Sequence, residues 1–356
     1  ARAHVSLSQS ANVSLDIKAA LKLDNSEASR RQAGLIYYAA HQPERTVEML
    51  SSLSYKDDPE VAEILAMTYY KLGELEKALI YFESAPAGEK TFLPTAHCYY
   101  FSGNLSESYK WFRKAEAVKA IPAEFLYQYA HTAYSEEQYS KVLTLTEGIT
   151  AVNGPVSVGL MRAESAFETH NYVIALAEAK QLVVDEKTAH IGGLSAYHEN
   201  DMEGVIHFLE GWAKDATALE PLAEAYIHVG RNTDAIKTYE SLISLDPSVP
   251  GYYVSRGKLY IESGELPSAR NDLSKALELD PSIEGARLLR GKIAYQLEEY
   301  AIAIEDFEFL KEGSRSGELF YLLGMSYWQT DQAEASYTSL EKAHELGRKD
   351  IDMLGI

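Results

Sequence analysis

Residues 250–283 read PGYYVSRGKLYIESGELPSARNDLSKALELDPSI, and residues 59–88 read PEVAEILAMTYYKLGELEKALIYFESAPAG. Aligned at their first residues, both place a small residue eighth (Gly257, Ala66) and an aromatic eleventh (Tyr260, Tyr69). Both then turn through Gly-Glu-Leu (Gly264-Glu265-Leu266, Gly73-Glu74-Leu75) and put a small residue twentieth (Ala269, Ala78). The period is near 34 residues. Self-similarity on that scale marks stacked supersecondary units, none of which can bury its apolar face alone.

Carried along the chain, the period puts Gly34, Ala66, Ala96, Ala130, Ala163, Gly193, Ala223, Gly257, Gly291 and Gly324 at the eighth position. A side chain no larger than a methyl at a fixed helical position is what close approach of two helices requires. The twentieth position holds Ala78, Ser108, Ala175, Ala235, Ala269, Ala303 and Ser336, departing to Thr46, Val142 and Val205. Between them Gly73, Gly103, Gly230 and Gly264 supply the left-handed residue that ends a helix. Leu-Asp-Pro at 245–247 and 279–281 then stops the second helix. Each unit reads helix, turn, helix.

These positions resemble the tetratricopeptide repeat family, and the likeness covers essentially the whole chain. It is strongest at 59–88 and 216–350. It is weaker at 123–215, where Ala133, Ala166 and Ala196 replace the eleventh-position aromatic and irregular packing is expected. The resemblance implies an all-α fold, a right-handed superhelical α-solenoid of antiparallel helix pairs. About ten units are expected: 27–58, 59–88, 89–122, 123–155, 156–185, 186–215, 216–249, 250–283, 284–316 and 317–350. Residues 1–26 read as an N-terminal half-repeat, since Ala20-Leu21-Lys22-Leu23-Asp24-Asn25 parallels Ala276 to Pro281. Residues 351–356 read as the start of a truncated further repeat, since Ile351 to Gly355 parallels Tyr321 to Gly324. No polar capping helix is legible, so the chain is expected to be a piece of a longer protein.

Family geometry places positions two, five, nine, twelve and thirteen of each first helix on a concave wall. The twelfth position holds Tyr38, Tyr70, Tyr100, Tyr134, Phe167, Tyr197, Ile227, Ile261, Tyr295 and Trp328. Tyr and Trp give large contact area at low entropic cost, and their hydroxyls can bond peptide amides, so an extended peptide or partner helix is the expected ligand. Burial of these rings against the next repeat is the competing reading. The candidate binding residues are Tyr38, Tyr70, Tyr100, Tyr134, Phe167, Tyr197, Tyr295 and Trp328, with His97, His131, Glu63 and Glu164 beside them. Glu60, Glu63, Glu164, Glu168, Glu220 and Glu224 could pair with basic side chains of a ligand, at about 0–1 kcal/mol for each exposed pair. One family subgroup holds C-terminal carboxylates with Lys fifth and Asn ninth. No unit here has that pair.

A formal charge of -20, from 53 acidic and 33 basic side chains, argues against nucleic acid or an anionic membrane as partner and favours basic or amphipathic peptides. No apolar run is long enough for membrane insertion. Cys98 is the single cysteine, excludes an internal disulfide, and reads as an inert buried thiol. His97, His131, His190, His198 and His228 fall on the expected wall. His97 and His131 sit in neighbouring units, but two ligands without a third do not make a zinc site, so no metal is expected and a pH-dependent contact is the alternative. The sequons at Asn12 and Asn104 carry little weight. No phosphate loop, nucleophile elbow or paired Cys and His is present. The expectation is therefore no catalytic residue, no cofactor and no enzyme. It is a protein–protein interaction scaffold within a larger assembly such as secretion, envelope or transport machinery, in the cytoplasm rather than the periplasm or another envelope location. The alternatives are a self-assembly module stacking through its ends and a glycan-contacting domain of a polysaccharide export system.

Overall fold

The computed structural model describes residues 7–149 and 154–348, with side chains from residue 14 onward. A leading helix α1 (Leu7–Leu23) is followed by ten helix pairs. The first five are α2 (Glu27–Ala39) with α3 (Pro43–Leu50), α4 (Pro59–Lys71) with α5 (Leu75–Phe82), α6 (Glu89–Phe101) with α7 (Leu105–Val118), α8 (Leu126–Ser135) with α9 (Tyr139–Thr146), and α10 (Val158–Glu168) with α11 (Tyr172–Ala179). The rest are α12 (Glu186–His198) with α13 (Met202–Leu209), α14 (Ala216–His228) with α15 (Asn232–Leu245), α16 (Pro250–Glu262) with α17 (Leu266–Leu279), α18 (Glu284–Gln296) with α19 (Tyr300–Leu310), and α20 (Gly317–Gln329) with α21 (Ala333–Glu345). No strand occurs among the described residues. Two compact units divide near the end of α11, Ala1–Glu178 and Ala179–Ile356. Each is an all-α solenoid of antiparallel helix pairs.

The small residues sit where two helices of a pair meet. All ten eighth positions are buried. A Cβ added to Gly34 would lie 2.2 Å from Leu50 Cδ2, one at Gly193 2.4 Å from Leu209, and one at Gly324 2.7 Å from Leu340. The partner is always sixteen residues on, and the four pairs with leucine there (Leu50, Leu209, Leu273, Leu340) all carry glycine at the eighth position. Leucine branches at Cγ, close to the facing backbone, and leaves no room for a methyl at Gly34, Gly193 or Gly324, whereas at Gly257 the nearest atom, Leu273 Cγ, stands 3.3 Å away. Phenylalanine at Phe82 and Phe112 is met by Ala66 and Ala96. The twentieth positions that depart from small, Thr46, Val142 and Val205, are as fully buried as Ala78 or Ala269.

The turn between helices is left-handed in all ten pairs. Glycine serves at Gly73, Gly103, Gly230 and Gly264, and non-glycine residues adopt the same conformation at His41, Glu137, His170, Asn200, Glu298 and Asp331, with φ from 55° to 61°. Glycine was therefore sufficient but not necessary there, and six turns hold strain that the two packed helices impose.

The irregular packing expected at 123–215 does not occur at the seam between paired helices: Ala130, Ala163, Val142 and Val205 are at most 1% exposed. The missing eleventh aromatic is replaced locally. In α8, Tyr129 is fully buried, stacks on Phe112 at 5.1 Å, and donates to Glu116 at 2.8 Å. Helix α1 packs Ile17 against Ala33 and Tyr37, as the second helix of a preceding pair would. The further repeat read at 351–356 lies outside the described residues, as does the Asn12 side chain. Asn104 caps α7, accepting from the Glu107 amide at 3.1 Å.

Ion pairs link position seven to position twenty-three in three pairs, two of them largely buried. Arg256 holds Asp272 through two bonds of 2.8 Å. Arg290 holds Asp306 at 2.8 and 2.7 Å, with Arg287 also reaching Asp306 at 3.4 Å, and Asp306 is fully buried. Arg162 bonds Glu178 at 2.6 Å in a more exposed setting.

Candidate interaction face

One arrangement recurs among the first helices. In five repeats the twelfth-position side chain meets position five or nine of the next. The Tyr70 hydroxyl is 3.3 Å from His97 Nδ1, and the Tyr100 hydroxyl 3.0 Å from His131 Nδ1. Tyr134 donates to Glu164, and Tyr197 donates to Glu224 at 2.6 Å. Tyr38 packs in one cluster with Met67, and burial together with the nearby Glu63 carboxylate raises the pKa of its phenol.

Around α6 and α8 of the first unit the layer is aromatic. Around His97 the ring of Tyr70 stands edge-on at 5.7 Å, Phe101 at 4.8 Å and Phe125 at 5.2 Å. Burial lowers the pKa of both His97 and His131 and pushes the phenols of Tyr70 and Tyr100 up to about 12. His97 and His131 do not pair with each other; each lies beneath a tyrosine of the preceding repeat. Among the described residues no three metal-ligating side chains come together. Cys98 is buried, its thiol pushed up to about 12 by desolvation.

Four of the twelfth-position hydroxyls have a partner inside the fold. Tyr70, Tyr100, Tyr134 and Tyr197 already spend the hydroxyl on the next repeat, because a phenol half-sunk between helices needs a partner. Glu164 is likewise engaged. What remains accessible is ring surface. Phe167 stands edge-on to Tyr172 at 5.9 Å, and Tyr295 to Tyr300 at 5.9 Å. Trp328 is 58% exposed. The structure brings Tyr38 with Glu63, Tyr70 with His97, Tyr100 with His131, and Tyr134 with Glu164. It adds residues the sequence reading did not single out: Phe101, 59% exposed beside His97 and Tyr100, and Tyr252, which donates to Glu220 at 2.5 Å. Phe101 stands at position thirteen of its unit, a wall position, and could have been found; Tyr252 stands third and could not.

In the second unit position nine is charged in three of the five pairs, Glu224, Lys258 and Lys292, with Leu194 and Met325 in the other two, and Lys292 pairs with Glu318 at 3.0 Å. No described helix is long and apolar enough to cross a membrane.

No curated protein matches the chain. Among solved structures, the chain is similar to MamA, at 21% identity over 45% of this chain and 96% of that one, with a TM-score of 0.38. MamA MSR-1 gives 21%, 47%, 99% and 0.38, and MamA AMB-1 gives 20%, 46%, 92% and 0.40. Family models of the tetratricopeptide repeat match residues 60–85, 218–251, 254–318 and 317–349. Those segments fall on the helix pairs described above, and the same small residues and left-handed turns recur in the pairs between them. Over the matched segments the chain carries tetratricopeptide repeats, the stacked antiparallel helix pairs of a protein–protein interaction scaffold.

Proposed function

We propose that the chain binds a peptide or partner-protein segment along the first-helix face, with no chemistry of its own, as part of a larger multi-protein assembly in the cytoplasm. The observation that carries this is the layer that positions five, nine and twelve make within each unit. It is rich in aromatic rings, and Tyr38, Tyr70, Tyr100, Tyr134, Tyr197 and Tyr295 remain only partly buried after their internal bonds are made. Rings fixed in place by a hydrogen bond at the far end lose little entropy on binding, which suits them to interfaces. Glu63, His97, His131, Glu164, Phe167 and Trp328 complete the proposed face.

The test is affinity capture from native extract with the natural chain and with a Tyr70→Ala, Tyr100→Ala, Tyr134→Ala variant, both checked for helicity. A partner held by the first and lost by the second supports the reading; capture unchanged by the variant overturns it. Self-association is a second reading, favoured by Leu15 at 66% and Leu23 at 91% exposure on α1. It requires sedimentation to show concentration-dependent oligomers that Leu15→Ser and Leu23→Ser abolish.

A further inference from the structure

On α14, Glu220, Glu224 and Ile227 follow one stripe at i, i+4 and i+7, and all three are exposed. The two carboxylates repel each other across one helical turn, and neither has an ion-pair partner among the described residues. Each is instead steadied from one side by a phenol: Tyr197 of α12 on Glu224, and Tyr252 of α16 on Glu220. The second bond pushes the Tyr252 phenol up to about 12, with burial adding to it. The ring of Tyr239 stands 6.5 Å from that of Tyr252. On α16 the equivalent stripe is Val254, Lys258 and Ile261, with Lys258 exposed and unpaired among the described residues.

Two aligned carboxylates held by tyrosine donors, with aromatic rings beside them and exposed isoleucine one turn on, form a surface that an incoming cation with an apolar stem completes. We infer that this stripe docks a partner segment bearing a lysine or arginine next to an apolar residue. The cation sits between Glu220 and Glu224, and the apolar side chain lies against Ile227 and Ile261. An acidic group further along the same segment meets Lys258. Charge complementarity selects this occupant: an anionic segment would meet two uncompensated carboxylates, and a wholly apolar one would bury them unpaired. The inference rests on the first-helix face being the binding face and names the chemistry of what it binds.

The probe is a rhodamine-labelled nonapeptide with two lysines among leucines and serines, compared with versions carrying norleucine or glutamate in place of lysine. Anisotropy is read against the full chain, its Glu220→Gln, Glu224→Gln variant, and a control, Glu203→Gln, Glu240→Gln, that removes the same charge from second helices. The expected result is saturable binding of the lysine peptide alone, weakened tenfold or more in the Glu220, Glu224 variant and unchanged in the control. Equal loss in both variants overturns the inference, since a chain of charge -20 would then be attracting the peptide nonspecifically. Unchanged binding in both, equal binding of the norleucine peptide, or no binding overturns it as well. Those outcomes leave the aromatic-face reading to its own capture test.

Discussion

In the first unit, His97 and His131 lie under Tyr70 and Tyr100 in a layer of aromatic edges, and its ion pair at positions seven and twenty-three, Arg162 with Glu178, is partly exposed. In three of the second unit's five pairs the ninth position is charged, Glu224, Lys258 and Lys292, and the buried bonds are ionic, Arg256 with Asp272 and Arg290 with Asp306. The helix pairs, turns and small residues are the same. The scaffold therefore fixes where side chains meet but not what chemistry joins them, and the two halves should fail under different insults.

The largest expected effect is Asp306→Ala. It strands Arg290 and Arg287 in a buried site, which should cost about 3–5 kcal/mol, and hydrogen exchange should show the loss in α18–α21 while the first unit is unmoved. Replacing Arg287, Arg290 and Asp306 together by leucine should recover much of it. Should exchange accelerate equally throughout the chain, the two units do not fail separately.

Next, the same substitution should act differently in the two units. Gly34→Ala drives a methyl to 2.2 Å from the fully buried Leu50 and should cost about 1–3 kcal/mol. At Gly257 the nearest atom, Leu273 Cγ, is 3.3 Å away, so the helix-propensity gain of about 1 kcal/mol roughly offsets the crowding. Urea midpoints of the two variants would settle the contrast.

A third comparison uses acid. His97 and His131 are depressed by burial below their ordinary 6.5, so the unfolded chain binds protons that the folded chain refuses. Their neutral-state stability is present above 6.5 and is lost as pH falls below it. The Arg-held Asp58 and the helix-capping Asp201 and Asp215, depressed carboxylates, act only lower, beneath their ordinary 3.8. Exchange in α4–α8 should thus accelerate between pH 6.5 and 5 ahead of α14–α19. His97→Phe with His131→Phe should flatten that response, and a profile unchanged by both would remove the histidines as its cause.

The smallest effect concerns the strained turns. Glu137→Gly in the first unit and Glu298→Gly in the second relieve a left-handed non-glycine residue and should each raise stability by about 0.5–1 kcal/mol in thermal melts. Asn200→Gly should change little, because asparagine tolerates that conformation.

The helix pairs were legible because position eight is constrained by backbone approach alone, which any sequence must satisfy with Gly or Ala. The left-handed turn was half legible: Gly73 announces it, but Glu298 adopts it under compulsion from packed helices that no local pattern records. The ninth-position partner of each ring was not legible at all. Tyr134 and Glu164 are 30 residues apart, and nothing local to either residue says that a hydroxyl and a carboxylate will meet. The same holds for Arg290 and Asp306, each of which reads from sequence as an ordinary solvated charge.

The bond from position twelve to position nine of the following repeat bears on how such arrays are inherited. A gene duplication copies a hairpin from turn to turn, and so cuts through that bond at both ends. Copying the pair that holds Tyr70 would set its ring over a second Met67 in place of His97. The hydroxyl would lose its partner, and the duplicate would need a compensating change in its neighbour before selection could keep it. The heritable module in this chain is therefore offset from the visible one, running from the middle of one first helix to the middle of the next.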